Sequence, residues 1–179
     1  MLTLSLLRHA KSSWSDARLK DFDRPLNERG LKEAPRIGTF MARRGLVPAL
    51  VLCSPAARAR QTLNLVRPTF KPAPQVVYED ALYLASPRAM LKRIEQVTAE
   101  ARHLMLVGHN PGLQELALEL TGAGPAEALE AVAQKLPTAG LVILSFDADS
   151  WSKIKPGAGR LEAFMSPKRL ETDEMERSG

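Results

Sequence analysis

The chain has little of what a disulfide-bonded or membrane-spanning protein requires. Its 179 residues include one cysteine, Cys53, which cannot form an internal disulfide and lies in an apolar run. We interpret it as a buried thiol in a protein of a reducing compartment. No apolar run approaches the ~18 residues of a membrane-spanning helix, and the opening run stops at Arg8, too early for a secretory signal. We therefore expect a cytoplasmic location and no membrane partner.

Aromatic residues are also scarce, and basic residues exceed acidic ones only moderately. Lys and Arg number 25 against 20 Asp and Glu, which gives a formal net charge of +5. This excess favours an anionic partner, and nucleic acid, a phosphoprotein and small phosphate esters all satisfy it. Because aromatics form only 5% of the chain and do not interleave with a basic stripe, the stacking platforms of nucleic-acid-binding proteins are missing. We expect no nucleic-acid partner.

Short apolar runs alternate with longer stretches of helical spacing. Four runs are predicted as buried strands, at residues 2–7, 49–54, 103–109 and 141–146. This alternation is typical of β/α units around a largely parallel sheet, so we predict an α/β layered fold. Two further segments are predicted as an edge-like strand and a final strand, at 75–80 and 159–167.

The predicted helices begin at recognisable caps. The first is expected to start at Asn27 and to end before Gly45, with Pro35 causing a kink or a late start. Its apolar face is predicted to contain Leu31, Ala34, Ile37 and Met41. Further helices are expected after the stretch "SPAARARQT", from Ser86-Pro87 and from Asn110-Pro111. Without an internal repeat or linker, we expect a single domain over 1–167 and a polar C-terminal tail over 168–179, solvated or frayed.

Polar residues follow three of the predicted strands at their carboxyl ends. The first run ends in Arg8-His9, the second leads to Arg58 four residues beyond Ser54, and the third ends in His109. In an α/β sheet, ligands bind beyond this edge. We therefore expect these side chains to surround one site. The third histidine, His103, begins a strand at the opposite edge and is interpreted as structural.

Two histidines and two arginines without an acidic or cysteine cluster do not form a zinc site, because guanidinium groups repel cations. They are typical of an anion pocket, since arginine makes two-point contacts with phosphoryl oxygens and helix N-termini add N–H donors. A neutral imidazole in such a pocket can act as a nucleophile towards phosphorus.

Together these residues resemble the histidine phosphatase superfamily, and specifically its SixA-like phosphohistidine phosphatases. Nearly the whole chain takes part in the resemblance. The matching stretches, in order, are "LLRHAKSSW", "DFDRPLNERG", "VLCSPAARARQT", "LYLASP" and "LMLVGHNPG". Ala10 stands where most of the wider superfamily has glycine, and it matches the SixA-like form. The resemblance implies a three-layer fold that is phosphoglycerate mutase-like, with a mixed, mostly parallel sheet flanked by helices.

The resemblance also implies roles for individual residues. It makes His9 the nucleophile that becomes phosphorylated, with Arg8, Arg58 and His109 forming the rest of the phosphate pocket. It implies no metal and no organic cofactor. A carboxylate before the third helix protonates the leaving group in some relatives. Asp80 falls closest to that position with Glu79 adjacent, and either acid could equally be a solvated or helix-entry residue.

Three functions remain open on the sequence. The first is a phosphohistidine phosphatase whose partner is a phosphohistidine-containing protein, which an open pocket suits because 179 residues leave no room for a long inserted cap. The second is a phosphomonoesterase for a phosphorylated small molecule, with the same pocket. The third is a non-catalytic phosphate or nucleic-acid binding module, which would leave the position of His9 unexplained.

Overall fold

In the computed structural model, which describes all 179 residues, the strands form a single seven-stranded sheet. The strands are β1 (Leu2–Arg8), β2 (Leu50–Cys53), β3 (Gln75–Tyr78), β4 (His103–Gly108), β5 (Thr121–Ala123), β6 (Leu141–Phe146) and β7 (Gly159–Met165). Their order in the sheet is β3-β2-β4-β1-β6-β7-β5. Only β6 runs against its neighbours, β1 and β7, and every other pair is parallel. The predicted mixed, mostly parallel sheet is confirmed, and β3 does lie at an edge.

Helices cover both faces of the sheet. They are α1 (Glu28–Arg43), α2 (Ala57–Val66), α3 (Pro87–Glu95), α4 (Gly112–Leu120), α5 (Ala126–Gln134) and α6 (Pro167–Ser178). Alternate strand residues point to opposite faces, so in β1 Leu4 and Leu6 join the core beneath α3, α4 and α5, whereas Leu7 joins the core beneath α1, α2 and α6. The three-layer α/β fold is therefore confirmed.

Helix α1 shows where sequence patterns succeed and fail. Asn27 is its N-cap, as predicted, and its side chain accepts a hydrogen bond from the Gly30 N–H. The helix continues through Pro35, so a late start is wrong. Leu31 is exposed rather than buried. Gly30 is buried instead. The Lys11 backbone lies so close to it that a Cβ at this position would be 2.3 Å from the Lys11 carbonyl oxygen.

The C-terminal residues form a helix and most of them are exposed, so the expected tail is solvated but the alternative of a frayed tail is wrong. Ser166 caps α6 through the Arg169 N–H, and Pro167 occupies a position where its missing N–H costs nothing. Leu170 is buried in the core beneath α1. Arg36 of α1 also pairs with Glu174 at 3.1 Å, a partly exposed contact between the two helices. None of the helices is long and apolar enough to cross a membrane.

Candidate active site

Three strand ends meet at one edge of the sheet. Strand β4 pairs in parallel with both β1 and β2, and its last residue, Gly108, lies opposite Arg8. The residues that follow the three strands are His9, Ser54 and His109, so they lie side by side at the carboxyl edge. Arg58 lies in the first turn of α2 and its Nε is 3.3 Å from Nε2 of His9. The structure thus brings His9, Arg58 and His109 together, next to Arg8.

The ring of His9 is held in one tautomer. Its Nδ1 lies 2.7 Å from the Ala10 carbonyl oxygen, and because a carbonyl only accepts, Nδ1 carries the proton. Nε2 then carries a lone pair, which accepts a hydrogen bond from the Arg58 Nε–H at 3.3 Å. Burial is the main cause that lowers the pKa of His9 to about 3, with smaller contributions from His109, Arg58 and Arg8. The imidazole is therefore neutral near pH 7.

A threonine in α2 connects the loop after His9 to Arg58. Thr62 Oγ1 accepts the Ala10 N–H at 2.9 Å and donates to the Arg58 carbonyl oxygen at 2.7 Å. Thr62 is fully buried, so both bonds are shielded from water. One hydroxyl group therefore fixes the nucleophile loop relative to the helix that carries Arg58.

Asp21 orients Arg58. Nη1 of Arg58 donates to the Asp21 carbonyl oxygen at 2.7 Å, and Nη2 pairs with its carboxylate at 3.0 Å. The Asp21 carboxylate also accepts hydrogen bonds from the hydroxyl of Tyr83 and from Arg24. These bonds, with Tyr83 the largest cause, hold the pKa of Asp21 well below its usual range. Asp21 is a charged partner of Arg58 rather than a proton donor.

Arg8 is a cation with no acidic partner. Its Nη1 donates to the Leu136 carbonyl oxygen at 3.1 Å, and its Nε is buried without any hydrogen-bond partner. No carboxylate lies within 4.0 Å of its guanidinium, unlike that of Arg58. Burial and the nearby Arg58 both lower the pKa of Arg8. The site therefore concentrates positive charge, which favours binding of an anion.

His109 offers a second unpartnered nitrogen. Its Nε2 lies 2.7 Å from the Ser54 hydroxyl, which already accepts the Ala56 N–H at 3.3 Å. If Ser54 donates its proton to Nε2, then Nδ1 carries the ring proton, and Nδ1 is buried without a partner. Burial lowers the pKa of His109 to about 4, helped by Arg58. The rings of His9 and His109 are 5.2 Å apart.

The two acids considered as proton donors do not reach this cluster. Glu79 pairs with Arg93 at 2.7 Å. Asp80 is exposed at the start of a short 3-10 turn and makes no side-chain hydrogen bond or ion pair with the pocket residues. Sequence reasoning missed Asp21 and also Tyr83, whose ring packs edge-on against His109 at 5.4 Å. The conspicuous acids in "DFDRPLNERG" were the available signal for Asp21.

The arrangement suits phosphoryl chemistry. A neutral imidazole with an unprotonated Nε2 can attack phosphorus, while Arg58, Arg8 and His109 can donate hydrogen bonds to phosphoryl oxygens. No three side chains among His, Cys, Asp and Glu are grouped so that they could hold a metal ion. The positive charge of the site comes from protein side chains.

Comparison with known proteins places this chain in a family. Residues 4–83 match the model of the histidine phosphatase superfamily, branch 1. A Mycobacterium tuberculosis protein of uncharacterized function is 37% identical over 166 residues, which cover 90% of this chain and 100% of that protein.

Two solved structures are similar to this chain over most of its length. A protein assigned as the phosphohistidine phosphatase SixA of Agrobacterium tumefaciens is 35% identical with a TM-score of 0.78, covering 93% of this chain and 98% of that one. A second structure, of a Nakamurella multipartitia protein with the same assignment, is 30% identical with a TM-score of 0.78, covering 93% of this chain and 96% of that one. The chain belongs to the histidine phosphatase superfamily and is SixA-like. This membership supports phosphatase activity, a hydrolase function.

Proposed function

We propose that the chain is a phosphohistidine phosphatase that dephosphorylates a phosphoprotein through a phosphohistidine intermediate on His9. The observation that supports this most is the hydrogen bond from Nδ1 of His9 to the Ala10 carbonyl, at 2.7 Å. It leaves Nε2 as the nucleophilic atom, beside a guanidinium able to stabilise the charge of a transferring phosphoryl group.

The reaction proceeds in two transfers. Nε2 of His9 forms a bond to phosphorus while the P–N bond of the substrate histidine breaks, and the departing imidazole takes a proton from water. A water molecule then attacks the phosphorylated His9 and releases a proton to the solvent, which balances the proton taken from water in the first transfer. The bond between phosphorus and Nε2 of His9 breaks, inorganic phosphate leaves, and Nε2 regains its lone pair. Arg8, Arg58 and His109 would hold the phosphoryl oxygens through both steps.

The isomer of the intermediate provides the first test. Acid-labile, base-stable phosphate should accumulate on His9 after a rapid quench, and it should be the 3-phosphohistidine isomer because that isomer carries phosphorus on Nε2. His9→Ala should abolish turnover, whereas His103→Gln, a histidine change at the opposite end of β4, should retain it. A fully active His9→Ala protein, or phosphate on Nδ1, would contradict the mechanism.

The substrate class is tested by a phosphate-release panel. It compares a histidine-phosphorylated protein with aryl phosphates, sugar phosphates and nucleoside monophosphates. The proposal predicts the highest kcat/KM for the phosphohistidine protein. Preference for a sugar or nucleotide ester would instead support a small-molecule phosphomonoesterase, and release from none of them would indicate a non-catalytic binding module.

We also propose that turnover is independent of divalent metals. The cations that would neutralise the phosphoryl group are Arg8 and Arg58, with His109 as a further donor. Pre-incubation with EDTA should leave the rate unchanged. A rate that is lost in EDTA and restored by added magnesium or zinc would overturn this part of the proposal.

A further inference from the structure

Three exposed apolar side chains lie next to residues that contact the pocket: Trp14 stacks on Arg24, Phe22 follows Asp21 and Leu84 follows Tyr83. Trp14 is 72% exposed, Leu84 is 55% exposed and Phe22 is 38% exposed. We propose that this apolar rim, formed by Trp14, Phe22 and Leu84, is a docking surface for apolar residues that flank the phosphorylated side chain of a protein substrate. The inference rests on the proposed function, because the phosphorylated residue must occupy the pocket while its neighbours contact the rim.

Two of the rim residues lie beside Tyr83, which packs against the pocket residue His109. Phe22 packs edge-on against Tyr83 at 5.0 Å, and Tyr83 packs against His109 at 5.4 Å. Leu84 follows Tyr83 directly in the chain. A segment whose phosphoryl group lies beside His109 would therefore have its neighbouring residues close to Phe22 and Leu84.

Trp14 is joined to the pocket by charged residues. The Arg24 guanidinium lies 3.5 Å from the centre of the Trp14 ring and pairs with Asp21 at 2.9 Å. Asp21 in turn holds Arg58. Arg24 is itself buried and also donates to Ser12. One face of the indole is thereby fixed against a rigid partner, so Trp14 loses little side-chain freedom when it binds.

The backbone at Leu84 also supports a binding role. Its φ of 52° lies in the left-handed region, which a leucine adopts only at an energetic cost. The next residue is packed tightly, since a Cβ added to Gly112 would lie 2.0 Å from the Ala85 carbonyl oxygen. The chain thus maintains a strained turn whose leucine is exposed to solvent.

A protein segment fits this surface better than a small phosphate ester. The cations Arg8 and Arg58 complement a phosphoryl group in the pocket, and the rim beside them offers apolar contact to whatever carries that group. The hydroxyl groups of a sugar gain little from such contacts. A nucleobase could stack on Trp14 or Phe22 but would gain nothing comparable from an aliphatic Leu84.

The experiment uses two synthetic peptides phosphorylated on a central histidine with phosphoramidate. One has leucine on both sides of the phosphohistidine and the other has serine. We expect about tenfold higher kcat/KM for the leucine peptide, the effect of burying roughly one apolar side chain. Leu84→Asn should remove most of that preference, since asparagine tolerates a left-handed backbone. The same variant should hydrolyse p-nitrophenyl phosphate normally, as should the control Leu118→Asn, which removes another exposed leucine.

Peptide binding to the His9→Ala protein separates docking from catalysis. Trp14 is exposed and the second tryptophan, Trp151, is buried, so acrylamide quenching of the emission reports mainly on Trp14. The leucine peptide should protect Trp14 more than the serine peptide, and adding Leu84→Asn should reduce that difference. Protection without turnover of either peptide by the wild-type protein would support docking and contradict the proposed function.

Three results would overturn the docking proposal. Equal kcat/KM and equal protection with both peptides would show that the rim does not recognise apolar neighbours. Equal losses with both peptides and p-nitrophenyl phosphate in Leu84→Asn would assign Leu84 to pocket structure. A Leu84→Asn defect confined to nucleoside monophosphates would make the rim a base-binding surface.

Discussion

Arg58 donates hydrogen bonds to Asp21 through Nη1 and Nη2 and to the nucleophile, His9, through Nε. Its Nη1 and Nη2 lie 2.7 Å and 3.0 Å from the backbone and side-chain oxygens of Asp21, and its Nε lies 3.3 Å from Nε2 of His9. An arginine has several rotatable bonds, and each contact removes some of that freedom before a phosphoryl group arrives. The position of Arg58 therefore depends on a loop residue that follows β1 by more than ten positions.

Asp21→Asn should lower kcat by about tenfold, and Asp21→Ala by about 10²-fold, because a small displacement of a positioned group has effects of this size. The matched control is Asp23→Asn, which changes another exposed acid of the same 3-10 turn. Initial rates with p-nitrophenyl phosphate give the kcat of all three variants. A positioning role also predicts weaker inhibition by vanadate, which imitates the transferring phosphoryl group. Unchanged kcat and unchanged vanadate inhibition in Asp21→Ala would remove Asp21 from the site.

Thr62→Val should reduce both stability and activity, because it leaves the buried Ala10 N–H without an acceptor and frees the Arg58 carbonyl. A buried unsatisfied group costs about 1–3 kcal/mol, which urea denaturation will measure. Thr62→Ser keeps the hydroxyl and should retain most of both properties. If Thr62→Val retains stability and activity while Thr62→Ser loses them, the methyl group of Thr62 matters and its hydrogen bonds do not.

Much of the pocket was predictable because topology is readable from the sequence. Residues that directly follow neighbouring parallel strands must lie at one edge, so the positions of His9 and His109 follow from the strand pattern alone. Arg58 was predicted from its position four residues beyond Ser54. The expectation that the helix starts only after "SPAARARQT" is wrong, because α2 begins at Ala57 and Arg58 lies in its first turn.

Asp21 and Tyr83 were not predictable in the same way. Both belong to irregular segments, whose path depends on tertiary contacts rather than on periodicity. The same limit explains why Leu31 is exposed, although its spacing fits the apolar face of α1. The close approach of the Lys11 backbone to Gly30 instead determines which side of the helix faces the protein.

His103 makes stability depend on pH independently of the pocket. Its Nε2 lies 2.7 Å from Ser5 Oγ, and burial lowers its pKa from 6.5 to about 4. Between these values the unfolded chain binds more protons than the folded one, so stability rises with pH. The contribution is complete above about pH 6.5 and is lost as the pH falls towards 4, with a size of roughly 3 kcal/mol.

Urea denaturation at pH 7 and pH 5 tests this assignment. His103→Gln should show a smaller loss of unfolding free energy at pH 5 than the wild type. A residual loss should remain, because His9 and His109 also have lowered pKa values. An identical pH dependence in wild type and His103→Gln would show that this histidine does not titrate as its burial requires.

The acids around the pocket determine which leaving groups the protein can release. Asp21 is held ionised by its hydrogen bonds, Glu79 is paired with Arg93, and Asp80 is exposed without a contact to the pocket. None of them is arranged to protonate a departing oxygen. A departing imidazole becomes protonated near neutral pH and needs little such help, whereas an alkoxide needs a strong acid.

We therefore expect fast turnover of phosphohistidine and of aryl phosphates, and slow turnover of alkyl esters such as sugar phosphates. The rate of the first phosphoryl transfer should fall steeply as the pKa of the leaving group rises. Asp80→Asn should change these rates by less than about threefold for every substrate, since general acid catalysis is worth about 10²-fold or more where it operates. Stopped-flow measurement across a series of aryl and alkyl phosphates gives the dependence directly.

A flat dependence with rapid alkyl ester turnover would require a proton donor and would favour the small-molecule phosphatase. A selective loss on alkyl esters in Asp80→Asn would identify Asp80 as that donor, brought to the substrate by a movement of its turn.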